Sequence, residues 1–409
     1  MIRELTIFEF EEFTNNHILS NYYQTKEYAA VAAQKGYSYE YVGYVDHSDN
    51  VLAASLILFK KIGLFNYYGY APKGFLLDYT DSTLVSVFTK ELKDYYAKRS
   101  FAFIKINPEL AIGEIDLVDD FKTTYNENNG IKNVLRSNGY NKLKDNLYFE
   151  SMIPRFNAIV PLKDLTINTI SKNNRNKLKM GIRKGLKLVE KTRDDIELFR
   201  DILTDKGLRD ANYYKDYYNT FSKNNMIDLF LVKIDYEQFL LNSRDAYEKE
   251  LLVNADLNKI LSNKNSNNFI NQKMQSDRRL LSYKNDISEA TVGLRNNLDT
   301  YVAGALVIKY KSRVHIILSG FNREYARFQP NYFLYYEIFN HYRENFVFAD
   351  LNGITGDFSS SNPYDGFNRF KFGWKPKVFE FIGEFDLVIN DVAYMTLNTT
   401  GALAKEFNK

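Results

Sequence analysis

Between residues 236 and 298, apolar residues recur at steps of seven positions, which is the spacing of a thin helical seam. The first arm keeps this step through Phe239, Ala246, Val253 and Ile260, and the second through Leu280, Ile287 and Leu294. A polar turn over 262–268 separates the two arms. The pattern predicts an antiparallel coiled-coil hairpin that projects from a globular body. Such a hairpin either contacts an extended partner such as RNA or serves as a rigid arm with no binding role.

The rest of the chain alternates between strand and helix patterns, and a strand–strand–helix–strand order occurs twice. The first set comprises strands 39–45, 52–60 and 101–106 and helices 28–33, 83–99 and 134–138. The second set comprises strands 156–161, 227–234, 301–309, 313–319 and 348–351 and helices 165–185, 196–206, 213–224 and 331–345. The repeat predicts an α/β (α+β) fold of two similar lobes with mixed sheets. We assign the first lobe to 1–152, the second to 153–236 and 299–409, and the arm to 237–298.

Composition narrows the classes of site that the chain can carry. The 409 residues are 45% hydrophobic, which is ample for two cores, and include no cysteine and only four scattered histidines. Disulfides and thiolate nucleophiles are therefore excluded, and no metal site is predicted. The sequence shows neither a signal-peptide pattern nor the run of roughly 20 apolar residues that a membrane helix needs. We expect a cytoplasmic protein.

Positive charge is concentrated in one segment, although the net charge of the chain is only +3. Between 172 and 191, eight basic side chains face Glu190 alone: Lys172, Arg175, Lys177, Lys179, Arg183, Lys184, Lys187 and Lys191. Such a block attracts phosphates and makes binding sensitive to salt. The alternative is an ordinary solvated helix face. We favour an anionic partner, because the block is nearly unopposed.

Two segments are dense in residue types that serve chemical sites. The first, 67–79, contains Lys73, which can hold a phosphate or carboxylate, and Asp78, which can accept a proton. The second, 350–374, contains glycines that permit close approach of a ligand, and Lys371 between two aromatic residues can support a developing oxyanion. Neither forms a nucleotide-binding fingerprint. The alternative for the first segment is an aromatic-rich loop with one surface lysine. The alternative for Lys371 is a lysine at a strand edge whose aliphatic part is buried and whose ammonium group reaches solvent.

Both segments, in this order, resemble the Fem-type peptidoglycan interpeptide-bridge aminoacyltransferases. These enzymes pass an amino acid from aminoacyl-tRNA to the stem-peptide amine of a cell-wall precursor. The matching segments are 70–74 with 78–79, 173–191, 350–356, 370–374 and 379–385. The hairpin lies where members of the staphylococcal type carry a coiled-coil arm. The resemblance spans nearly the whole chain and implies two acetyltransferase-like (GNAT-like) lobes.

The resemblance also implies roles for individual residues. It implies that Lys371 acts as a catalytic residue near the transferred ester, and Asp78 is a candidate proton acceptor. The residues expected to bind substrate are Tyr70, Lys73, Arg209, Tyr213, Asn352 and Phe370. The residues expected to bind tRNA are Lys172, Arg175, Lys177, Lys179, Arg183 and Lys184. Because an aminoacyl ester is already activated, no cofactor, metal or covalent nucleophile is required.

One position departs from the family pattern. After Gln24, Tyr28 replaces the family's Trp, and alanines occupy the positions where a phosphate-binding lysine is expected. Lys26 or Lys35 can substitute for this lysine. The choice between them decides which cation meets the diphosphate of the precursor.

The implied partners are aminoacyl-tRNA and a lipid-linked or nucleotide-linked peptidoglycan precursor, with peripheral contact at the inner face of the cell membrane. The amino acid transferred, the bridge position and the oligomeric state stay open. One alternative is a non-catalytic RNA-binding or cell-wall scaffold protein. Another is an acyl-CoA-dependent N-acyltransferase, although its Gln/Arg-x-x-Gly-x-Gly/Ala loop is absent from the sequence.

Overall fold

The computed structural model describes residues 1–63, 65–148, 150–203, 210–263 and 266–407. The strands are β1 (Ile2–Glu4), β2 (Ser38–Val45), β3 (Val51–Ile62), β4 (Asn66–Ala71), β5 (Phe101–Ile106), β6 (Ala111–Ile115), β7 (Thr123–Tyr125), β8 (Tyr140–Lys142), β9 (Phe156–Pro161), β10 (Leu186–Lys191), β11 (Ile227–Ile234), β12 (Tyr301–Tyr310), β13 (Arg313–Phe321), β14 (Phe348–Ile354), β15 (Lys377–Phe381) and β16 (Phe385–Val388). The helices are α1 (Ile7–Asn16), α2 (Lys26–Gln34), α3 (Ser82–Ala97), α4 (Ile131–Ser137), α5 (Lys172–Arg183), α6 (Ile196–Ile202), α7 (Ala211–Ser222), α8 (Tyr236–Asn263), α9 (Asn267–Arg295), α10 (Pro330–Tyr342), α11 (Asp365–Phe372), α12 (Asp391–Thr399) and α13 (Ala402–Phe407).

These elements form two mixed sheets. The first has seven strands in the order β1-β2-β3-β4-β5-β16-β8, and β4 and β5 are parallel. The second has nine strands in the order β10-β11-β12-β13-β14-β9-β15-β6-β7, and β13 and β14 are parallel. All six residues of β5 are buried, as are six consecutive residues of β11, because strands inside a sheet covered on both faces are apolar throughout. The predicted α/β class is confirmed.

The sheets exchange strands across the lobe boundaries that the sequence predicted. Strands β6 and β7 lie in the segment assigned to the first lobe, yet β6 pairs with β15 of the second sheet. Strand β16 lies in the segment assigned to the second lobe, yet it pairs with β5 and β8 of the first sheet. Here strand pairing joins residues more than 240 positions apart, so local pattern could not reveal it.

Helices α8 and α9 pack against each other in antiparallel orientation. Near their middle, Asn254 Nδ2 donates to Ser276 Oγ at 3.0 Å. At the base, the ring of Tyr236 occupies the space that a side chain at Gly293 would need. The start of α8 thus meets the end of α9 at Tyr236 and Gly293, and Asn254 further along α8 meets Ser276 earlier in α9. The segment is therefore a helical hairpin.

The predicted seven-residue step does not describe the seam of the first arm. Val253 and Ile260 are 46% and 37% exposed, while Asn254 and Leu257 are buried. A straight α-helix has 3.6 residues per turn. Residues seven positions apart are therefore rotated by about 20° around the helix axis per heptad, and they leave the seam after two or three repeats. In the second arm, Leu280 and Ile287 are half-buried, but Leu294 is 42% exposed. The seam therefore includes polar side chains that an apolar pattern cannot show.

The basic helix is shorter than predicted. The sequence predicted a helix from 165 to 185, but α5 begins at Lys172, where the Ser171 side chain accepts a hydrogen bond from the backbone N–H of Asn174. This cap satisfies one of the free N–H groups of the first turn. Its start is also tied to α11, because the Ser171 N–H donates to the Gly373 carbonyl at 2.9 Å and Asn174 Nδ2 donates to the Phe370 carbonyl at 3.2 Å.

Candidate active site between the two sheets

A cavity of about 230 Å³ lies where α2 of the first lobe meets α7 of the second. Aromatic rings make up most of its wall. The lining residues are Tyr22, Tyr23, Tyr28, Lys35, Tyr213, Tyr214, Tyr217, Ile317, Leu318 and Asn352. Burial raises the pKa of Tyr23 to about 12, so its phenol stays protonated at neutral pH and can act as a hydrogen-bond donor.

Lys35 is the cation in the lining of this cavity. Its Nζ donates to the Tyr213 hydroxyl at 2.7 Å and lies 4.2 Å from the centre of the Tyr213 ring. Lys26, the other residue that the sequence offered at this position, instead pairs with Glu11 at 2.7 Å and does not line the cavity. The structure therefore places Lys35, and not Lys26, beside the predicted substrate residue Tyr213.

A smaller polar chamber of about 20 Å³ adjoins this cavity, and both are lined by Tyr22, Tyr23, Ile317 and Asn352. The charged and polar residues of the chamber come from both lobes: Asn21, Lys73, Glu109, Asn157, His315 and Asp350. Its volume suits a single water molecule with several polar partners.

Glu109 is held between two cations on one side of the chamber. Its carboxylate lies 3.0 Å from Lys73 Nζ and 3.0 Å from Arg313 Nη1. Burial raises the pKa of Glu109, but the charges of Lys73 and Arg313 outweigh burial and leave that pKa below its ordinary value. The predicted residue Lys73 is thus in the site, but its charge is already engaged by a buried carboxylate.

Asp350 lies on the other side of the chamber, within β14. One carboxylate oxygen accepts the backbone N–H of Asn352 at 2.8 Å, and the other lies 3.5 Å from His315 Nδ1. Burial would raise the pKa of Asp350, but His315, Arg313 and the Asn352 N–H lower it far below its usual range. Asp350 is therefore a carboxylate at neutral pH.

Asn352 adopts a left-handed backbone conformation, with φ of +66°, at an irregularity in the pairing of β14 with β9. This conformation is uncommon outside glycine, although asparagine tolerates it best. The Asn352 Oδ1 accepts the N–H of Gly353 at 2.9 Å. The amide nitrogen is then the donor that Asn352 offers to a ligand in the cavity.

Lys371 holds this irregular backbone in place. Its buried Nζ donates to the carbonyls of Leu351 and Gly353 at 2.6 Å each and to that of Asn352 at 3.4 Å. Lysine has three N–H donors, so these carbonyls can engage all of them. The predicted catalytic lysine lines neither chamber, but it contacts the backbone of Asn352, which lines both.

The other predicted substrate-binding residues, and the predicted proton acceptor Asp78, lie in different surroundings. Tyr70 is buried, and its hydroxyl accepts from Asn107 Nδ2 at 3.3 Å. Asp78 is exposed and accepts hydrogen bonds from the backbone N–H and hydroxyl of Thr80; it lines neither chamber. Phe370 packs edge-on against Tyr335 in an aromatic cluster with Trp374. Arg209 lies outside the described residues.

The six residues predicted to bind tRNA differ in exposure. Lys172 and Lys179 are exposed, and Arg175 is half-buried. Lys177 is half-buried and donates to the Tyr332 hydroxyl. Arg183 is also half-buried and donates to the Tyr283 hydroxyl. Lys184 is buried in an ion pair with Asp286 of α9, so it does not face an external phosphate. A run of charges in the sequence cannot show which of its members is buried.

Sequence reasoning missed several polar groups of the chamber, among them Glu109 and His315. A weak signal existed for each of these two. Glu109 lies just after a buried strand and the dipeptide Asn107-Pro108. Binding sites often form where parallel strands end. His315 interrupts an apolar strand with one polar side chain, and a single buried histidine is more often structural than functional.

Two kinds of feature are absent from the described ranges. Within them, no helix combines the length and apolar character that crossing a bilayer requires. Within the same residues, no group of three or more His, Asp or Glu side chains is placed to hold a metal ion.

Comparisons with known proteins agree with this architecture. The FemAB family model matches residues 5–401. Aminoacyltransferase FemB of Staphylococcus epidermidis is 26% identical, with 99% of each chain covered, and a lipid II:glycine glycyltransferase of Staphylococcus haemolyticus is 22% identical, covering 95% of this chain and 93% of the relative. The crystal structure of FemX superimposes with a TM-score of 0.73 at 19% identity, covering 97% of this chain and 99% of FemX. The chain belongs to the FemAB family and is an aminoacyltransferase of peptidoglycan interpeptide-bridge formation.

Proposed function

We propose that the protein transfers an amino acid from aminoacyl-tRNA to the stem-peptide amine of a lipid-linked peptidoglycan precursor. The observation that carries this proposal is the cavity between the lobes, in which Lys35 and Tyr213 meet from opposite sides. An anionic, elongated substrate fits a tyrosine-lined cavity with one cation. The name of one relative, a lipid II:glycine glycyltransferase, supports a lipid-linked acceptor.

In this proposal Lys35 meets the diphosphate of the acceptor. Among the described residues that line the larger cavity, Lys35 alone carries a positive charge. The hydroxyl of Tyr213, which now accepts from Lys35, can turn to donate to a phosphate oxygen. The remaining tyrosine rings offer flat apolar faces for the sugar or base of the precursor. The resemblance also pairs Arg209, which lies outside the described residues, with Tyr213.

The acceptor amine attacks the ester carbonyl, and the negative charge that develops on the carbonyl oxygen needs a donor. Asn352 Nδ2 supplies this donor in our proposal, because the Asn352 oxygen is held by Gly353. Lys371 acts through Asn352: it holds the three carbonyls of 351–353 and places its positive charge behind the donor. Preorganised donors of this kind are among the largest contributions to catalysis.

The donor tRNA lies along α5 and the hairpin in our proposal. Lys172 and Lys179 are the exposed cations of the predicted set, and Arg175 and Arg183 flank them. Helix α5 begins against α11, the helix that carries Lys371. In our proposal, the aminoacylated end of a tRNA held by α5 therefore points toward the cavity. A lipid-linked acceptor brings the protein to the inner face of the membrane as a peripheral partner.

The test is transfer of radiolabelled amino acids from a pool of charged tRNAs to purified lipid-linked precursor, with the nucleotide precursor as the parallel acceptor. Incorporation of one label into the lipid-linked acceptor is the expected result, and the label identifies the donor. Incorporation into the nucleotide acceptor alone would overturn the lipid-linked assignment. Binding of charged tRNA without incorporation into either acceptor would overturn the transfer proposal in favour of an RNA-binding protein.

A further inference from the structure

His315 is a buried histidine in the wall of the polar chamber, and nothing described so far gives it a role. It is 7% exposed and lies directly across from Asp350 in the parallel pairing of β13 with β14. Its Nδ1 is 3.5 Å from an Asp350 carboxylate oxygen, and its ring packs edge-on against Tyr22 at 4.9 Å. The histidine is thus oriented by a carboxylate at one nitrogen.

This arrangement sets the protonation pattern of the imidazole. A carboxylate beside Nδ1 favours a proton on that nitrogen, which leaves Nε2 as a base. The separation of 3.5 Å is long for a hydrogen bond, as is common for such pairs before substrate binds. The charged groups around the ring are the carboxylates of Asp350 and Glu109 and the cations Arg313 and Lys73. These groups give the chamber two charges of each sign.

The other acids of the site are poorly suited to accept a proton. Glu109 is paired with two cations, and Asp350 is held ionised by three neighbours, so the pKa of each is lowered. Asp78, the acceptor that the sequence indicated, is exposed and outside both chambers. A weak base takes a proton from an amine inefficiently. Among the described residues that line the chamber, this leaves His315 as the candidate base.

Resting on the proposed function, we propose that His315 is the proton acceptor of the transfer reaction, working through one water in the chamber. The neutral acceptor amine attacks the ester carbonyl and a C–N bond forms. The proton of the amine passes through the water to His315 Nε2, and Asp350 stabilises the imidazolium. When the C–O bond to the tRNA ribose breaks, the same proton returns to the departing ribose oxygen. No other reactant is needed.

The experiment is single-turnover transfer from charged tRNA to lipid-linked precursor by wild type, His315→Gln and His341→Gln. Glutamine keeps the volume and polarity of His315 but cannot take up a proton. A general base contributes about 10²–10⁴-fold, so His315→Gln should lose that factor in rate with an unchanged KM for the acceptor. Its rate should also lose the decline at acid pH that protonation of the imidazole causes in wild type. The exposed His341 lies on α10, outside both chambers, so His341→Gln should match wild type.

Two results would overturn the inference while leaving the proposed function intact. One is wild-type rate and pH profile in His315→Gln. The other needs no variant and applies even if His315→Gln fails to fold: a wild-type single-turnover rate that is equal in H2O and D2O, since a proton moves in the proposed step. A wild type without any transfer would instead overturn the proposed function, and this inference with it.

Discussion

Lys184, at the end of the basic helix α5, forms a buried ion pair with Asp286 of the hairpin helix α9. The Lys184 ammonium also lies 5.0 Å from the ring of Phe239 and 4.8 Å from that of Phe328. Burial lowers the pKa of Lys184, and Asp286 counteracts this effect. The pair fixes the hairpin to the helix that carries the exposed basic residues, so both parts of the proposed tRNA surface keep one relative orientation.

Removing Lys184 should strongly destabilise the protein. In Lys184→Met, Asp286 becomes a buried charge without its lysine partner, which costs about 3–5 kcal/mol of unfolding free energy. The double variant Lys184→Met/Asp286→Leu should recover most of this loss. Urea unfolding measures both, with Lys187→Met, an exposed lysine nearby, as the control. A loss in Lys184→Met no larger than in Lys187→Met would show that the pair is not stabilising.

Removing the charge of Lys35 should weaken binding of the acceptor. Hydrogen bonds to charged groups contribute about 1.5–3 kcal/mol, so Lys35→Met should raise the KM for the precursor about 10- to 100-fold with a smaller change in kcat. Lys26→Met is the matched control, because Lys26 pairs with Glu11 away from the cavity. Equal effects of the two variants in steady-state transfer kinetics would contradict the assignment of Lys35.

The variant Asn352→Gly tests the side-chain amide of Asn352 without disturbing the backbone conformation of the site. Glycine adopts the left-handed conformation of residue 352 without strain, so the irregular strand should persist while the amide is removed. We expect kcat to fall about 10²–10³-fold with little change in KM and in the urea midpoint. An unchanged kcat would remove Asn352 as the oxyanion donor.

Lys371→Met tests whether the lysine acts by holding the backbone. It removes the lysine donor from the carbonyls of 351–353. Each buried carbonyl that loses its partner costs about 1–3 kcal/mol, so both kcat and the free energy of unfolding should fall. Lys375→Met is the control, since Lys375 is exposed and lies four residues further along the chain. If Lys371→Met reduced kcat at wild-type stability, the lysine would act on the substrate directly.

Charge reversal on α5 should weaken tRNA binding in a salt-dependent way. Lys172→Glu/Lys179→Glu removes two exposed cations, and removing each cation that binds a phosphate lowers the slope of log affinity against log salt by about one. Filter binding of charged tRNA between low and high salt measures this slope. Lys98→Glu, an exposed lysine at the end of α3, should leave the slope at its wild-type value; an equal reduction there would indicate a nonspecific effect.

Glu9 should contribute to stability in a pH-dependent way. Hydrogen bonds from Arg3 and then Thr6 lower the pKa of Glu9 from 4.5 to about 2. A carboxylate with a lowered pKa stabilises the fold above its ordinary pKa, and the contribution is lost as pH falls from about 4.5 to 2. Wild type should have a higher urea midpoint than Glu9→Gln at neutral pH, and this difference should shrink as pH falls over that range. Glu12→Gln, on the exposed face of the same helix, should show no comparable trend.

Local pattern along the chain was enough to predict most helices and strands, because apolar spacing reflects local burial. Strands β5, β9 and β11 have the predicted bounds, and each is an apolar run that only a buried strand satisfies. The α/β class followed from the order of such segments, and the family from the resemblance of short motifs such as 350–356 and 370–374. The hairpin was also evident from its polar turn, although a strict seven-residue step chose Val253 over the buried Asn254.

Which strands share a sheet and which side chains share a site depend on long-range packing. Lys35 and Tyr213 are 178 positions apart, and Glu109 and Arg313 are 204 apart, so no local pattern joins them. Burial decided the rest: Lys184 carries the same charge as Lys179, but neighbouring helices enclose one and leave the other exposed. Residue type is a property of the chain, whereas the distance to a partner and the access to water are properties of the packed fold.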